Sequence, residues 1–228
     1  DIGGWQPDNF NKKFRGEITL KEALKRSINS VAVRVAKRVG VNRIIETSKR
    51  LGIVSPLPTD LSLALGTGEI SLLELASAYA PFANGGYGVL PFGIDQIKGS
   101  SGEVLYHRKG SGPGRVIAQQ KVKQMNEMLS AVIESGTGRQ AKLHRSAAGK
   151  TGTSQNYRDA WFVGFTANQI AGVWLGNDNG APMRGVTGGS LPALVWKDIM
   201  VLTENRATKT QSVIPFEKET VNVWNGSK

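Results

Sequence analysis

Three short segments of strand length follow one another closely and constrain the fold of this 228-residue chain more than any other feature. Residues 148–153, 160–166 and 170–176 each have the length of a β-strand, and only tight connections separate them. The second and third segments are nearly continuous apolar runs, with Trp161 and Phe162 in the second. Such runs are typical of strands that helices cover on both faces. The sequence therefore predicts three consecutive strands between helical layers.

Helices are predicted before these strands. Thr19 with Glu22, and Ser71 with Glu74, match the capping box, in which a hydroxyl and a carboxylate bond backbone N–H groups at a helix start. Gly40 is suited to the left-handed residue that ends a helix. Further helices are predicted over residues 42–51, 118–134 and 191–202, of which 118–134 has the clearest 3- and 4-residue apolar spacing.

The remaining segments are predicted to be less regular. Residues 1–17 are rich in Gly, Pro and Asn and indicate an extended surface segment. Residues 93–109 indicate an exposed β-hairpin apart from the main core, with Ile94 and Ile97 on its first arm. Residues 204–228 form a polar C-terminal tail.

Composition excludes several classes of function. The chain has no Cys, which rules out disulfide scaffolds, Cys-zinc sites and thiol catalysis, and no metal or cofactor is expected. No window is long and apolar enough for a membrane span. The net charge of +11 favours anionic surfaces such as nucleic acid, phospholipid or cell-wall polymer. The basic residues are scattered, however, and no nucleic-acid-binding motif occurs, so no nucleic-acid partner is expected.

The first chemically suggestive feature is the tripeptide Ser27-Ile28-Asn29 inside the first helical region. Hydroxyl and amide side chains compete with the helical backbone for hydrogen bonds, so a break between two helices is predicted there. A polar helix junction explains the tripeptide equally well, and by itself it identifies no function.

The second feature is the glycine-rich strand around Lys150. Strand alternation places Lys150 and Gly152 towards one face and Thr151 and Thr153 towards the other. Glycines allow a ligand or another backbone to approach closely. A phosphate-binding loop is disfavoured, because that motif requires Gly where the chain has His144 and a helix where apolar strand residues follow.

The third feature is the segment 156–162, which contains Arg158, Asp159, Trp161 and Phe162. Arg158 and Asp159 are expected to bind separate partners rather than each other, because adjacent side chains rarely pair. The two aromatic residues are expected in the core. This segment is predicted to be structural.

Taken together, these residues resemble the motif set of penicillin-binding proteins and serine β-lactamases, S-x-x-K, S-D-N and K-T-G. Ser27-Ile-Asn29 and Lys150-Thr-Gly152 match its second and third members in the correct order. Longer stretches at 16–27, 157–164 and 172–178, and the segment 186–193, resemble class A penicillin-binding proteins. The resemblance extends from about Gly4 to Met200.

The resemblance implies an α+β fold, an antiparallel sheet flanked by helices, with residues 1–203 as the C-terminal portion of a transpeptidase domain. It implies a D,D-transpeptidase that cross-links peptidoglycan stem peptides through an acyl-serine and is inhibited by β-lactams. Ser27 would then relay a proton to the leaving amine. Asn29 would bind the substrate backbone and the catalytic Lys of the family's S-x-x-K motif. Lys150 would supply positive potential.

Residues 151–153 would form the substrate-binding strand in this family. Thr151 and Thr153 would hold the substrate carboxylate, and the Thr153 N–H would give half of the oxyanion hole. The strand that contains Gly152 would pair with the extended substrate, as in β-augmentation.

The chain departs from the family pattern in one respect: no Ser is followed three positions later by Lys. The family's nucleophile lies in a segment that precedes this region, together with two strands and a central helix, so the chain alone is expected to be inactive and the fold incomplete at its N-terminus. Three interpretations stay open, namely part of a transpeptidase, a noncatalytic peptidoglycan-binding module, or a serine β-lactamase-like hydrolase. The family implies an extracytoplasmic location, with a membrane anchor outside these residues.

Overall fold

The computed structural model describes residues 7–10, 12, 14–110 and 112–207, and this part of the chain contains six α-helices and five β-strands. The helices are α1 (Leu20–Lys25), α2 (Asn29–Val39), α3 (Val41–Arg50), α4 (Leu72–Ala83), α5 (Gln119–Ser135) and α6 (Leu191–Ala207). The strands are β1 (Gln96–Lys98), β2 (Val104–His107), β3 (Ala148–Thr153), β4 (Asp159–Phe165) and β5 (Ile170–Gly176). Short 3-10 turns cover Leu61–Leu65, Arg139–Ala141 and Gln155–Tyr157.

The three predicted consecutive strands form one antiparallel sheet in the order β3-β4-β5. Lys150 lies opposite Val163, and Val163 lies opposite Gly172. The connection from β4 to β5 is closed by a hydrogen bond from the Thr166 N–H to the Gln169 carbonyl oxygen (2.9 Å). The prediction of strands with tight connections is confirmed, and β3 is left at one edge of this sheet.

Helices cover both faces of the sheet, as the apolar runs predict. On one face α4 and α5 pack against the strands, and Leu129 of α5 contacts the buried Phe165 of β4. On the other face Trp196 of α6 packs against Phe162, and both side chains are fully buried. The Trp196 indole N–H donates to the Gly164 carbonyl at 3.2 Å, so its one polar atom is satisfied inside the core.

The two predicted capping boxes form only in part. The Thr19 and Ser71 hydroxyls accept from the N–H groups of Glu22 (3.1 Å) and Glu74 (3.2 Å). The two carboxylates do not reach back to the cap residues. Glu22 forms ion pairs with basic residues one turn along α1, whereas Glu74 accepts from the backbone N–H and hydroxyl of Ser55 (2.7 Å each). A charged or doubly hydrogen-bonded partner outcompetes a single backbone N–H for each carboxylate.

The closing helix is longer than the sequence predicts. Helix α6 continues to Ala207, past the predicted end at Leu202 and into the predicted polar tail 204–228. The predicted helix end at Leu202 is therefore too early, because polar residues such as Glu and Arg are good helix formers and do not themselves end a helix. The rest of the predicted tail, like residues 1–6 of the predicted extended segment, lies outside the described residues.

Strands β1 and β2 form the predicted hairpin separately from the main sheet. Ile97 lies opposite Tyr106, and every residue of the two strands is exposed. The first strand begins at Gln96, so Ile94 precedes it rather than forming part of it. Among the helices that the structure describes, none combines the length and apolarity needed to cross a membrane.

Candidate active site

A break between two helices presents Ser27. Helix α1 ends at Lys25 and α2 begins at Asn29, and Ser27 between them has a left-handed backbone with φ of 55°. The turn is held by hydrogen bonds from the Ser27 N–H to the Leu24 carbonyl (3.0 Å) and from the Ile28 N–H to Ala23 (2.9 Å). A non-glycine residue with positive φ is uncommon and costs conformational energy. The predicted break is confirmed, and the turn projects the Ser27 hydroxyl away from both helices towards β3.

The Lys150 ammonium reaches Ser27 from the sheet. Its Nζ donates to the Ser27 Oγ at 2.8 Å and to the Thr151 carbonyl oxygen at 2.9 Å. Although the residue keeps part of its surface accessible, burial of the ammonium lowers the pKa of Lys150 from 10.5 to about 8. Desolvation alone causes this shift, since burial penalises the charged form and no carboxylate offsets it. The ammonium and the neutral amine therefore have equal free energies near pH 8.

The Asn29 side chain lies beside this pair but binds elsewhere. Its amide Nδ2 donates to the backbone carbonyl of Asp8 at 2.8 Å, while the Asn9 Oδ1 accepts from the Ser30 N–H at 3.1 Å. Two residues of the N-terminal segment are thereby attached to the first turn of α2. Within the described part of the chain, no hydrogen bond joins Asn29 to Lys150.

Strand β3 presents backbone groups at an open sheet edge. The Ser154 N–H donates to the Asp159 carbonyl at 3.0 Å, which makes these opposed residues a hydrogen-bonded pair. Such pairs alternate along an antiparallel ladder, so Gly152 and Lys150 direct their backbone groups to β4. The N–H and carbonyl groups of Thr151 and Thr153 therefore point to the edge where, among the described residues, no strand lies.

The side chains of Thr151 and Thr153 are held by two other segments. The Thr151 and Thr137 hydroxyl oxygens lie 2.8 Å apart, and the Thr137 N–H donates to the Lys25 carbonyl at 3.2 Å. The Thr153 hydroxyl accepts from the Gly188 N–H at 3.0 Å. Thr137 follows α5, and Gly188 precedes α6.

Gly188 is a glycine because of its packing. A Cβ on this residue would lie 2.2 Å from the Trp161 carbonyl oxygen and 2.4 Å from that of Gly152, distances that no side chain tolerates. A glycine is also required at Gly149, where a Cβ would lie 2.8 Å from the Val163 carbonyl. The glycine at 149 therefore serves strand pairing rather than ligand access.

An apolar groove of about 380 Å³ begins beside Lys150 and runs between the helices. Among the described residues that line it, Lys150 alone is charged. Burial raises the pKa of Tyr79, also in its wall, to about 12. The remaining lining side chains are mostly aliphatic or aromatic and include Leu24, Leu51, Leu75, Phe82 and Met125. Its composition suits apolar side chains from another segment of polypeptide.

The described residues contain no group of three or more His, Cys, Asp or Glu side chains close enough to bind a metal ion together.

Comparison with known sequences places the chain in a family. A sequence model of the penicillin binding protein transpeptidase domain matches residues 1–201. The chain belongs to this transpeptidase family. It is similar to penicillin-binding protein 1A of Aquifex aeolicus, with 38% identity over 96% of this chain and 30% of that protein. Its identity to penicillin-binding protein 1A of Neisseria cinerea is 40% over 86% of this chain and 26% of that protein. The chain thus spans less than a third of the length of either relative.

Solved structures agree on the fold. Penicillin-binding protein 1A from Haemophilus influenzae superimposes with a TM-score of 0.80 at 24% identity, covering 95% of this chain and 38% of that one. PonA1 from Mycobacterium tuberculosis gives a TM-score of 0.84 at 24% identity, covering 97% and 64%. The predicted α+β fold of a penicillin-binding transpeptidase is confirmed.

In this transpeptidase-family chain the segment 156–162 has the expected structural role. The Asp159 carboxylate accepts from the Ser154 hydroxyl and from the Trp174 indole N–H, both at 3.0 Å. Asp159 thus binds partners other than the adjacent Arg158, as predicted. Phe162 is fully buried and Trp161 is partly buried against Trp174.

Sequence reasoning missed two residues of the site. Thr137 is recognisable in the sequence only as part of a Ser-Gly-Thr-Gly helix end, and Gly188 only as part of a glycine pair before α6. Their partners, Thr151 and Thr153, are 14 and 35 positions away. A signal existed in each case, because glycines flank Thr137 and Gly188 and indicate close backbone approach.

Proposed function

We propose that this chain forms the substrate-binding part of a serine-type D-Ala-D-Ala transpeptidase that cross-links peptidoglycan stem peptides. The observation that supports this most directly is the hydrogen bond from Lys150 Nζ to Ser27 Oγ (2.8 Å), located at the open edge of β3. Acyl transfer to an amine requires a proton donor for the leaving nitrogen and N–H groups for the oxyanion. The site contains both kinds of group.

Ser27 and Lys150 are suited to proton transfer. Because Lys150 donates to the Ser27 oxygen, the Ser27 hydroxyl hydrogen is left to donate to the leaving amine. A proton lost by Ser27 is replaced from Lys150, whose pKa of about 8 makes this transfer inexpensive. The same ammonium supplies positive potential for an anionic substrate. Asn29 at the start of α2 binds the substrate backbone in this proposal, in exchange for its contact with Asp8.

Strand β3 binds the substrate in an extended form. The substrate pairs with the outward N–H and carbonyl of Thr153 as a further strand at the sheet edge. Because Gly152 has no side chain, it leaves room for the substrate beside β3. The Thr153 N–H contributes to the oxyanion hole. Since Gly188 donates to the Thr153 hydroxyl, the hydrogen of that hydroxyl is available for the substrate carboxylate. The Thr151 hydroxyl is the second proposed contact of this carboxylate.

The nucleophile comes from polypeptide outside these 228 residues in this proposal. No Ser-x-x-Lys occurs in the sequence, and the apolar groove beside Lys150 has no charged residue along the rest of its wall. A helix with one apolar face and a serine at its end fits a groove of this composition. Its serine would then lie beside Ser27 and Lys150.

The proposed location is the extracytoplasmic face of the bacterial inner membrane, where stem peptides are cross-linked, with anchoring by a segment outside these residues. β-Lactams are the proposed inhibitors. A structure of PonA1 from Mycobacterium tuberculosis in complex with penicillin V, at 24% identity to this chain, supports that part of the proposal.

Labelling of the full-length protein with a fluorescent penicillin tests the function. A stable covalent adduct that survives denaturing electrophoresis is expected, and prior treatment with unlabelled penicillin should abolish it. Rapid loss of the label with release of hydrolysed drug would instead indicate a β-lactamase-like hydrolase. Absence of any adduct, together with retained binding to purified cell-wall sacculi, would indicate a noncatalytic peptidoglycan-binding module.

A further inference from the structure

A continuous series of contacts joins the turn that contains Ser27 to strand β3, which contains Lys150. Lys150 donates to Ser27 Oγ, and lies 3.5 Å from the Thr151 hydroxyl oxygen. That oxygen lies 2.8 Å from the Thr137 hydroxyl oxygen, and the Thr137 N–H donates to the carbonyl of Lys25 at the end of α1. Thr137 therefore contacts both the end of the helix that precedes Ser27 and the strand that contains Lys150.

The backbone around Thr137 is tightly constrained. A Cβ at Gly136 would lie 2.4 Å from the Lys25 carbonyl oxygen, and one at Gly138 would lie 3.0 Å from the Phe162 ring. The turn is thus pressed against α1 on one side and against the core of the sheet on the other. Thr137 has little freedom to move away from Thr151, and its hydroxyl acts from a fixed position.

The direction of the bond between the two hydroxyls decides what Thr151 can do. A hydroxyl has one hydrogen to donate and two lone pairs to accept. The Lys150 ammonium can only donate, so its contact at 3.5 Å uses one lone pair of Thr151. If Thr137 donates to the second lone pair, the Thr151 hydrogen is free for an anion. If Thr151 donates to Thr137 instead, that hydrogen is used within the protein.

We infer that Thr137 is a positioning residue, which donates to the Thr151 hydroxyl and so directs the hydrogen of Thr151 to the carboxylate of the bound substrate. The inference rests on the proposed function. Thr137 itself does not touch the substrate. Thr137 affects how tightly the substrate carboxylate is bound. This binding is the same in the initial complex and in the transition state, so the rate constant of the acyl-transfer step is not affected.

Acylation of the full-length protein by benzylpenicillin tests the role of Thr137. Stopped-flow measurements of this reaction give the dissociation constant of the initial complex and the rate constant of acylation separately. Thr137→Val replaces the hydroxyl with a methyl of similar shape, and Thr137→Ser restores a hydroxyl. Thr47→Val is a matched control, because the Thr47 hydroxyl donates to the Arg43 carbonyl within α3 (2.8 Å). The change in Tm is measured for every variant.

Thr137→Val is expected to raise the dissociation constant about fivefold, the effect of one hydrogen bond, and to leave the acylation rate constant nearly unchanged. Thr137→Ser should lie within about twofold of the unsubstituted protein, as should Thr47→Val. In a Thr151→Val background, Thr137→Val should have no further effect, because a residue that acts through another shows full coupling to it.

Three results would overturn the inference: an unchanged dissociation constant, a loss confined to the acylation rate constant, or additive effects of the two substitutions. Equal losses for Thr137→Ser and Thr137→Val would do so as well. If Thr137→Val lowers the Tm strongly, Thr137→Ala, which removes the hydroxyl without placing a methyl against Thr151, provides the comparison. Failure of the unsubstituted protein to form any adduct would contradict the proposed function instead.

Discussion

Lys150 Nζ lies 2.8 Å from Ser27 Oγ, although 123 positions separate the two residues in the sequence. The contact joins the edge strand of the sheet to a strained turn between two helices. Ser27 holds its left-handed backbone because its N–H donates to the Leu24 carbonyl and the N–H of the buried Ile28 donates to the Ala23 carbonyl. Conformational strain at a residue whose hydroxyl meets a desolvated ammonium is typical of a site under functional constraint.

Replacing the lysine by arginine tests whether Lys150 has to exchange a proton. An arginine keeps its positive charge at all accessible pH values, so Lys150→Arg retains the potential but removes the proton transfer. We expect the rate of acylation by penicillin to fall by about a hundredfold or more. Lys142→Arg is the control, since Lys142 pairs with Glu134 on the exposed surface (2.6 Å). Equal acylation rates for Lys150→Arg and the unsubstituted protein would contradict a role for Lys150 in proton transfer.

The pKa of Lys150 also predicts how acylation depends on pH. With a pKa of about 8, the ammonium predominates at pH 7 and is lost as the pH rises above that value. Because the proposed role needs the protonated form to resupply Ser27, the acylation rate should decline on the alkaline side with a midpoint near 8. A rate that rises through pH 8 would mean that the neutral amine is the active form, and a profile that stays level to pH 10 would mean that acylation does not depend on the protonation of Lys150.

The same pKa shift has a consequence for stability. In the unfolded chain Lys150 returns to its ordinary pKa of 10.5, so between about 8 and 10.5 the unfolded state binds more protons than the folded state. Stability from this group therefore rises with pH across that range, and below it the desolvation cost is fully present. The Tm of Lys150→Met relative to the unsubstituted protein should be highest below pH 8 and should fall as the pH approaches 10.5. Paired thermal scans of the two proteins at pH 7 and 10 measure this.

The positions of the helices and strands were largely predictable from the sequence. The contacts that hold Thr151, Thr153 and Asn29 in the site were not. The predicted limits of β3 and β5 coincide with the observed ones, because the apolar run of β5 and the polar turns that flank the strands are local signals. The contacts of Thr137 and Gly188 with β3 depend on how α5 and α6 approach the sheet, which no local pattern encodes. The contact between Asn29 and Asp8 was missed for the same reason, since it arises where an irregular segment crosses the start of α2.

Gly188 offers a test of how strictly Thr153 has to be positioned. Gly188→Ala would place a Cβ within 2.4 Å of two carbonyl oxygens, so the loop before α6 has to move away from β3. The hydrogen bond from the Gly188 N–H to Thr153 would then lengthen or break. We expect a loss of about 1–3 kcal/mol in the free energy of unfolding, as for other overpacked sites, and a reduced acylation rate.

The control for that change is Gly93→Ala, because no atom lies within 4 Å of a Cβ built there. The free energies come from denaturant titrations and the rates from penicillin labelling. If Gly188→Ala labels as fast as Gly93→Ala, the bond from Gly188 to Thr153 does not matter for substrate binding.

The apolar groove predicts how residues 1–228 behave when they are produced alone. Its lining is almost entirely apolar over about 380 Å³, and other large apolar side chains, such as Leu73 and Val54, are exposed on the surface. An exposed apolar surface of this kind favours association and dye binding. We expect the isolated chain to be poorly soluble and to bind a hydrophobic dye, and a longer protein that includes the Ser-x-x-Lys segment to bind less dye. Monomeric isolated chain with weak dye binding and one cooperative unfolding transition would show that the groove needs no partner segment. In that case the nucleophile would have to reach Ser27 and Lys150 without packing into the groove.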